Sequence, residues 1–178
     1  KFKIITALSV FYDAANPNQF LSDVNKLLEK DGIFLIEHAD LLSIIKLKMF
    51  DTICHEHLYY YSTKVIIDMA KNNGLRVFDL KTNNINGGST QYFLCKTSSK
   101  YKTNSKKINN ILKEEKRLNI YSKLTFISFL KKINLIRNKT LQLLEKLTEK
   151  NYKIHGYGAS TKGNVLLQYF GISRKYIN

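Results

Sequence analysis

The chain has 178 residues, 29 Lys and Arg against 14 Asp and Glu, a formal net charge of +15, two cysteines and a single proline. With 44% hydrophobic and 12% aromatic residues it is too apolar for a disordered basic tail, and no apolar run approaches the roughly 20 residues of a membrane span. The charge is uneven, 11 basic against 10 acidic residues through Ser98 and 18 against 4 from Ser99 onward, so a nucleic-acid reading would have to rest on the second half alone.

Ile4 to Val10 is a continuous β-prone run. Asn16-Pro17 then supplies a turn and a helix start, because proline in a first helical turn loses no hydrogen bond. From Asn18 to Lys30 the residues Phe20, Leu21, Val24, Leu27 and Leu28 recur at helical spacing. Asp31-Gly32 is expected to end that helix, and Ile33 to Ile36 to form a short buried strand finishing at Glu37. This unit predicts parallel pairing with a right-handed crossover.

A longer irregular segment, His38 to Ser62, precedes a helix expected over Thr63 to Asn73. Strands are expected over Leu75 to Leu80 and Thr90 to Cys95, joined as an antiparallel hairpin by the turn-rich stretch from Asn83 to Gly88. Ser98 to Ser105 is a polar boundary. Lys106 to Lys150 carries Leu and Ile at three- and four-residue steps, predicting a shorter helix and then a long one. The Lys, Asn and Ile bias there is explained by codon composition as readily as by function. Tyr152 to His155 reads as a short strand, Gly156-Tyr157-Gly158 as a tight turn, and Thr161 to Phe170 as a helix.

The densest chemistry lies between Phe50 and Ser62. Cys54, His55, Glu56 and His57 are all possible metal ligands, but HExxH fails, since its second histidine would fall at Tyr59. Adjacent residues of one element also point different ways and cannot close a tetrahedral site alone. A second reading is acid/base catalysis: an imidazole oriented by a neighbouring carboxylate can take and return a proton. Tyr59, Tyr60 and Tyr61 would add hydroxyls for a developing oxyanion and flat rings for a sugar or base. A hydrogen-bonded loop tying helix to sheet is the plain alternative.

Asn86-Gly87-Gly88-Ser89 forms a turn whose backbone could approach a ligand closely. Gly156 to Asn164 places a glycine turn before a helix with Lys162 in its first turn, where free N–H groups and the dipole attract anions. The dinucleotide fingerprint GxGxxG is not met, because its third glycine would fall at Thr161. Cys54 and Cys95 lie far apart, and the N-terminus carries no signal-peptide pattern, so a reducing cytoplasm is expected.

Taken together, these stretches resemble the class I S-adenosylmethionine-dependent C-methyltransferases that act on nucleotide-linked deoxyketosugars. The matching residues are Val10-Phe11-Tyr12-Asp13, Asn16-Pro17, Asp31-Gly32, Asp51-Thr52-Ile53-Cys54-His55-Glu56-His57-Leu58, Tyr60-Tyr61-Ser62, Asn86-Gly87-Gly88-Ser89 and Gly156-Tyr157-Gly158-Ala159-Ser160-Thr161-Lys162-Gly163-Asn164. The resemblance implies an α/β fold: the C-terminal part of a Rossmann-like methyltransferase sheet over residues 1–98, a helical linker over 99–150, and the start of a second, nucleotide-binding-like α/β domain over 151–178. It further implies that the glycine-rich cofactor loop and a zinc-binding module with its cysteines lie upstream in a longer polypeptide, with no metal site in this chain. On that expectation the isolated chain methylates nothing.

By the same resemblance His57 is the general base that turns a ketosugar into its enolate, Glu56 orients it, and Tyr60 or Tyr61 supports. Ala7 and Leu8 are the expected remnant of the S-adenosylmethionine pocket, and Asn86, Gly87, Gly88, Ser89 and Lys162 the expected contacts of the nucleotide-sugar. Cys54 and Asp13 stand where some members have a tyrosine and a histidine. A related O-methyltransferase, and a basic module binding nucleic acid through the Lys-rich helices, are the competing expectations; no membrane partner is expected.

Overall fold

The computed structural model describes residues 1–158 and 160–177; Ala159 and Asn178 lie outside the described residues. Four strands, β1 (Phe2–Leu8), β2 (Leu28–His38), β3 (Leu75–Asn83) and β4 (Ser89–Lys96), form one sheet in the order β1-β2-β4-β3. β1 and β2 are parallel, joined by helix α1 (Pro17–Leu27), while β4 runs antiparallel to both β2 and β3. The predicted parallel unit and the predicted antiparallel hairpin are therefore both present, in one mixed α/β sheet.

α1 starts as its sequence dictates: Asn16 caps it by accepting the Gln19 N–H at 3.0 Å, with Pro17 in the first turn. Its end differs from the expectation. The helix stops at Leu27 and the chain turns directly into β2, so Asp31-Gly32 lies inside a strand rather than at a helix terminus. Two contacts decide this. The Asp31 carboxylate accepts from the Ser99 hydroxyl and the Lys100 N–H, both at 3.1 Å, pinning the segment to the far end of the sheet. Gly32 sits where a Cβ would lie 2.9 Å from the Phe2 carbonyl, so its small size serves close strand approach, and the β1–β2 register is irregular there.

The segment read as irregular contains helix α2 (Leu41–Leu47). Asp40 caps it, accepting from the Ser43 N–H and hydroxyl at 2.9 and 2.8 Å and from the Thr90 hydroxyl of β4 at 2.6 Å. A seven-residue helix with isoleucines in it has too few turns to stand out in sequence; the buried cap and the burial of Leu42 and Ile44 hold it. Helix α3 (Thr63–Asn72), capped by Ser62, follows as expected.

Helices α4 (Ser105–Arg117) and α5 (Lys123–Glu149) are the predicted shorter and longer pair. α4 packs on β3 and α3, and its Ile108 belongs to the core built by Phe11, Leu28, Phe34, Ile36, Tyr92 and Leu94. Glu115 of α4, 2% exposed, accepts the Thr63 and Lys64 N–H groups at the start of α3 at 2.6 and 3.3 Å. Tyr152 to His155 is not a strand: no neighbouring strand pairs with it among the described residues, and the Tyr152 N–H is taken by the Leu147 carbonyl at 3.1 Å, continuing the wrap of α5. Helix α6 (Thr161–Phe170) forms as predicted, capped by Ser160. No helix among the described residues is long and apolar enough to cross a membrane.

Candidate active site

At the carboxyl end of β1 the chain turns through Ser9, which has positive φ, into a 3-10 turn, Phe11–Asp13, that carries Tyr12 and Asp13. A second 3-10 turn, Phe50–Thr52, follows α2 and leads into Cys54, Glu56 and His57. Backbone bonding joins the two: the Tyr59 N–H donates to the Tyr12 carbonyl at 3.2 Å. Between them opens a cleft of about 210 Å³, lined by Ser9, Tyr12, Cys54, Glu56, His57 and Tyr60 on one side and by Asn86, Ser160, Thr161 and Lys162 on the other.

His57 is held by a specific bond. Its Nδ1 lies 2.7 Å from the Thr52 carbonyl oxygen, which can only accept, so Nδ1 carries the hydrogen and Nε2 of the neutral ring keeps its lone pair. Thr52 is itself buried. The imidazole packs against Tyr12, ring centres 4.3 Å apart, with Tyr60 at 6.4 Å. Burial raises the Tyr12 phenol above its ordinary pKa, a bond with Ser9 pulls back, and the negative charges of Asp13, Cys54 and Glu56 add to the rise. Burial likewise raises the Tyr60 phenol, with a backbone bond to Cys54 opposing. Both phenols are protonated donors near neutral pH. The Asp13 carboxyl is raised by desolvation, lowered by His57 and raised again by Glu56, which places all three groups within one another's field.

The far wall comes from α6. Thr161 donates its hydroxyl proton to Glu56 Oε2 at 3.2 Å, and Lys162 Nζ donates to the Asn86 carbonyl at 2.9 Å. Phe170 stacks on Phe50 at 5.1 Å and 13°, anchoring the helix beside the Phe50–Thr52 turn. Lys162→Ala is expected to change global unfolding free energy by less than about 1 kcal/mol, since the bond is exposed. Hydrogen exchange of the amides in α6 should nonetheless quicken; unchanged exchange would mean that the remaining contacts, among them the Phe50–Phe170 stack and the Thr161–Glu56 bond, hold the helix without Lys162.

Of the residues singled out in the sequence, Glu56, His57, Tyr60, Asn86 and Lys162 meet in the cleft. Tyr61 does not line it: the side chain is 5% exposed, packed on Phe11 and stacked on Tyr59. Gly88 and Ser89 are buried. Gly88 has a φ of +143°, and a Cβ there would meet Leu47 at 2.7 Å, while the Ser89 hydroxyl donates to Glu37 at 2.8 Å. Gly87 is exposed beside Met49. Ala7 is a core residue and Leu8 is exposed at the end of β1. Tyr12, Ser9 and Thr161 line the cleft without having been singled out as site residues; the aromatic following an apolar strand was the available signal for Tyr12.

A larger cavity of about 350 Å³ lies between α2, the β3–β4 hairpin and α4. Its charges satisfy one another, Lys46 pairing with Glu114 at 2.8 Å, and it lacks a free imidazole, so the smaller cleft is the candidate site. Cys54, Glu56 and His57 share the cleft, yet no group of three or more His, Cys, Asp or Glu side chains is placed to hold a metal among the described residues.

Comparison with known proteins gives two findings. The family model for the C-methyltransferase C-terminal domain matches residues 84–178, just over half of the chain. The C-methyltransferase NovU of Streptomyces niveus is 28% identical over 175 residues, covering 98% of this chain and 41% of that protein; the chain thus spans about two-fifths of the length of this curated relative.

Proposed function

The chain belongs to the C-methyltransferase family, and we propose that it carries the base and the substrate-facing wall of an S-adenosylmethionine-dependent enzyme that methylates a carbon next to the ketone of a nucleotide-linked deoxyketosugar. The observation that carries this reading is the fixed tautomer of His57. With Nδ1–H committed to the Thr52 carbonyl, Nε2 is the only ring atom able to accept a proton, and the ring lines the cleft.

A carbon next to a carbonyl is weakly acidic, and removing its proton leaves negative charge on the ketone oxygen. His57 Nε2 accepts the proton. The Tyr60 hydroxyl, kept protonated by burial, is a donor suited to the developing oxyanion. Glu56 stands beside the base and orients substrate or imidazole, its Oε2 already engaged by Thr161. Lys162 and the exposed N-terminus of α6 suit the anionic phosphates of the substrate, and Asn86 closes the same wall.

The residues present fit one side of a methyl-donor site. Leu8 is exposed where the parallel strand β1 ends, the position at which open α/β sheets take ligands, and neighbouring Ser9 lines the cleft with His57. Ala7 beneath is core and contributes backbone only. When bound, S-adenosylmethionine supplies an electrophilic methyl group on sulfur. The glycine-rich loop that would hold its remainder, and the zinc-binding module, belong on this reading to further polypeptide.

Proton abstraction can be tested apart from methyl transfer. The complete protein, incubated in D₂O with a nucleotide-linked deoxyketosugar and no methyl donor, is expected to exchange the proton next to the ketone, raising the sugar's mass by about one dalton per site. Absence of exchange, together with methylation of an oxygen, would replace this reading with O-methylation.

A further inference from the structure

His38 is a buried ionisable group that the proposed chemistry leaves unused. It ends β2, is 1% exposed, and touches three tyrosines: Tyr92 at 5.5 Å between ring centres, Tyr61 at 5.7 Å and Tyr12 at 6.2 Å, the last edge-on at 87°. Its Nδ1 contacts the Ala39 carbonyl at 3.2 Å, and its Nε2 has no partner among the described residues. Burial lowers its pKa, with the Ala39 bond and the Asp40 charge opposing, so the ring sits in the core as a neutral aromatic. Tyr12 thus neighbours both imidazoles, with His57 the closer at 4.3 Å between ring centres.

We propose that Tyr12 is a positioning residue for His57: backed by His38, its ring packs on the imidazole and keeps Nδ1–H on the Thr52 carbonyl, so that Nε2 faces the cleft. A single hydrogen bond can be lost when the ring swings about its Cβ–Cγ bond. A packed face removes that freedom. The Tyr59 N–H to Tyr12 carbonyl bond ties the same two segments through the backbone, so the side-chain contact is set by the fold rather than by a flexible loop. Tyr12 acts through its ring and not through its hydroxyl.

The inference rests on the reading of His57 as the base, and the test separates the two. In the complete protein with ¹⁵N-labelled histidine, the His57 signals are those lost in His57→Gln. Wild type and Tyr12→Phe are expected to show one tautomer, protonated at Nδ1. Tyr12→Leu should show averaged nitrogen shifts, with kcat about tenfold lower or more and KM for the ketosugar within about twofold, as for loss of a group that orients a functional histidine. Should Tyr12→Leu fail to fold, Tyr12→Met is read in the same way. A single Nδ1–H tautomer with parental turnover in the leucine or methionine variant would overturn the proposal. So would loss of turnover in Tyr12→Phe with the tautomer intact, because the hydroxyl and not the ring would then matter. If His57→Gln keeps its turnover, the base is misassigned, yet the nitrogen shifts still decide what Tyr12 does.

Discussion

His57→Ala is expected to lower methyl transfer by the complete protein by about a hundredfold or more, the usual contribution of a positioned general base. The loss should lie in kcat, with binding of the methyl donor retained. The Tyr12 and Tyr60 phenols stay protonated near neutral pH and do not replace the imidazole as a base. Folding should be little affected, because the imidazole is half-buried and makes one bond, to Thr52. Turnover of His57→Ala within threefold of the parent would remove the base from this residue.

The second large effect concerns stability. Glu115→Ala is expected to cost about 3 kcal/mol in urea unfolding, because it strands the Thr63 and Lys64 N–H groups at a helix start buried under α4, each orphaned donor costing roughly 1–3 kcal/mol. Tyr121, which donates to Ser62 or accepts from it at 2.8 Å and reaches Glu115 at 3.4 Å, would lose its second partner. The pH dependence has a defined sign. Burial holds the Glu115 carboxyl above the usual carboxylate range, with the bonds from Thr63 and Lys64 pulling it back. The folded chain therefore binds this proton more tightly than the unfolded chain. The associated stability is complete below the unfolded value and is lost as pH rises through the raised one. Glu37 has the opposite sign: desolvation would raise it, but bonds from Gln91, Asn83 and Ser89 bring it below its ordinary value, so its contribution is lost as pH falls. Glu115→Ala should remove the first dependence and leave the second. A loss below about 1 kcal/mol would mean that water satisfies the start of α3.

The local chemistry of the chain is visible in its residues. Asn16-Pro17 announces the start of α1, the apolar spacing from Phe20 to Leu27 gives the helix its buried face, and the turn residues from Asn83 to Gly88 close an antiparallel hairpin. The block around His57 stands out because ionisable and aromatic side chains are dense there. These signals are short-ranged, and short-ranged forces suffice to produce them. Where a distant partner decides, the same signals mislead. Asp31-Gly32 has the form of a helix stop, but Ser99 and Lys100, nearly seventy residues away, draw it into β2. Tyr152 to His155 has the form of a strand and has no strand to pair with among the described residues.

The site divides in the same way. Sequence by itself determined that an imidazole, a carboxylate and tyrosines lie together, since their proximity is covalent. Only the tertiary structure decided which of them share a cleft: Tyr61 turns into the core against Phe11, and Tyr12, forty-five residues earlier in the chain than His57, takes its place beside the imidazole. Lys162 and Thr161 reach the same cleft because Phe170 stacks on Phe50. The tautomer of His57 is likewise tertiary, set by one buried carbonyl. Side-chain direction and proton placement depend on packing between segments distant in the chain, and that packing is settled only when the sheet assembles.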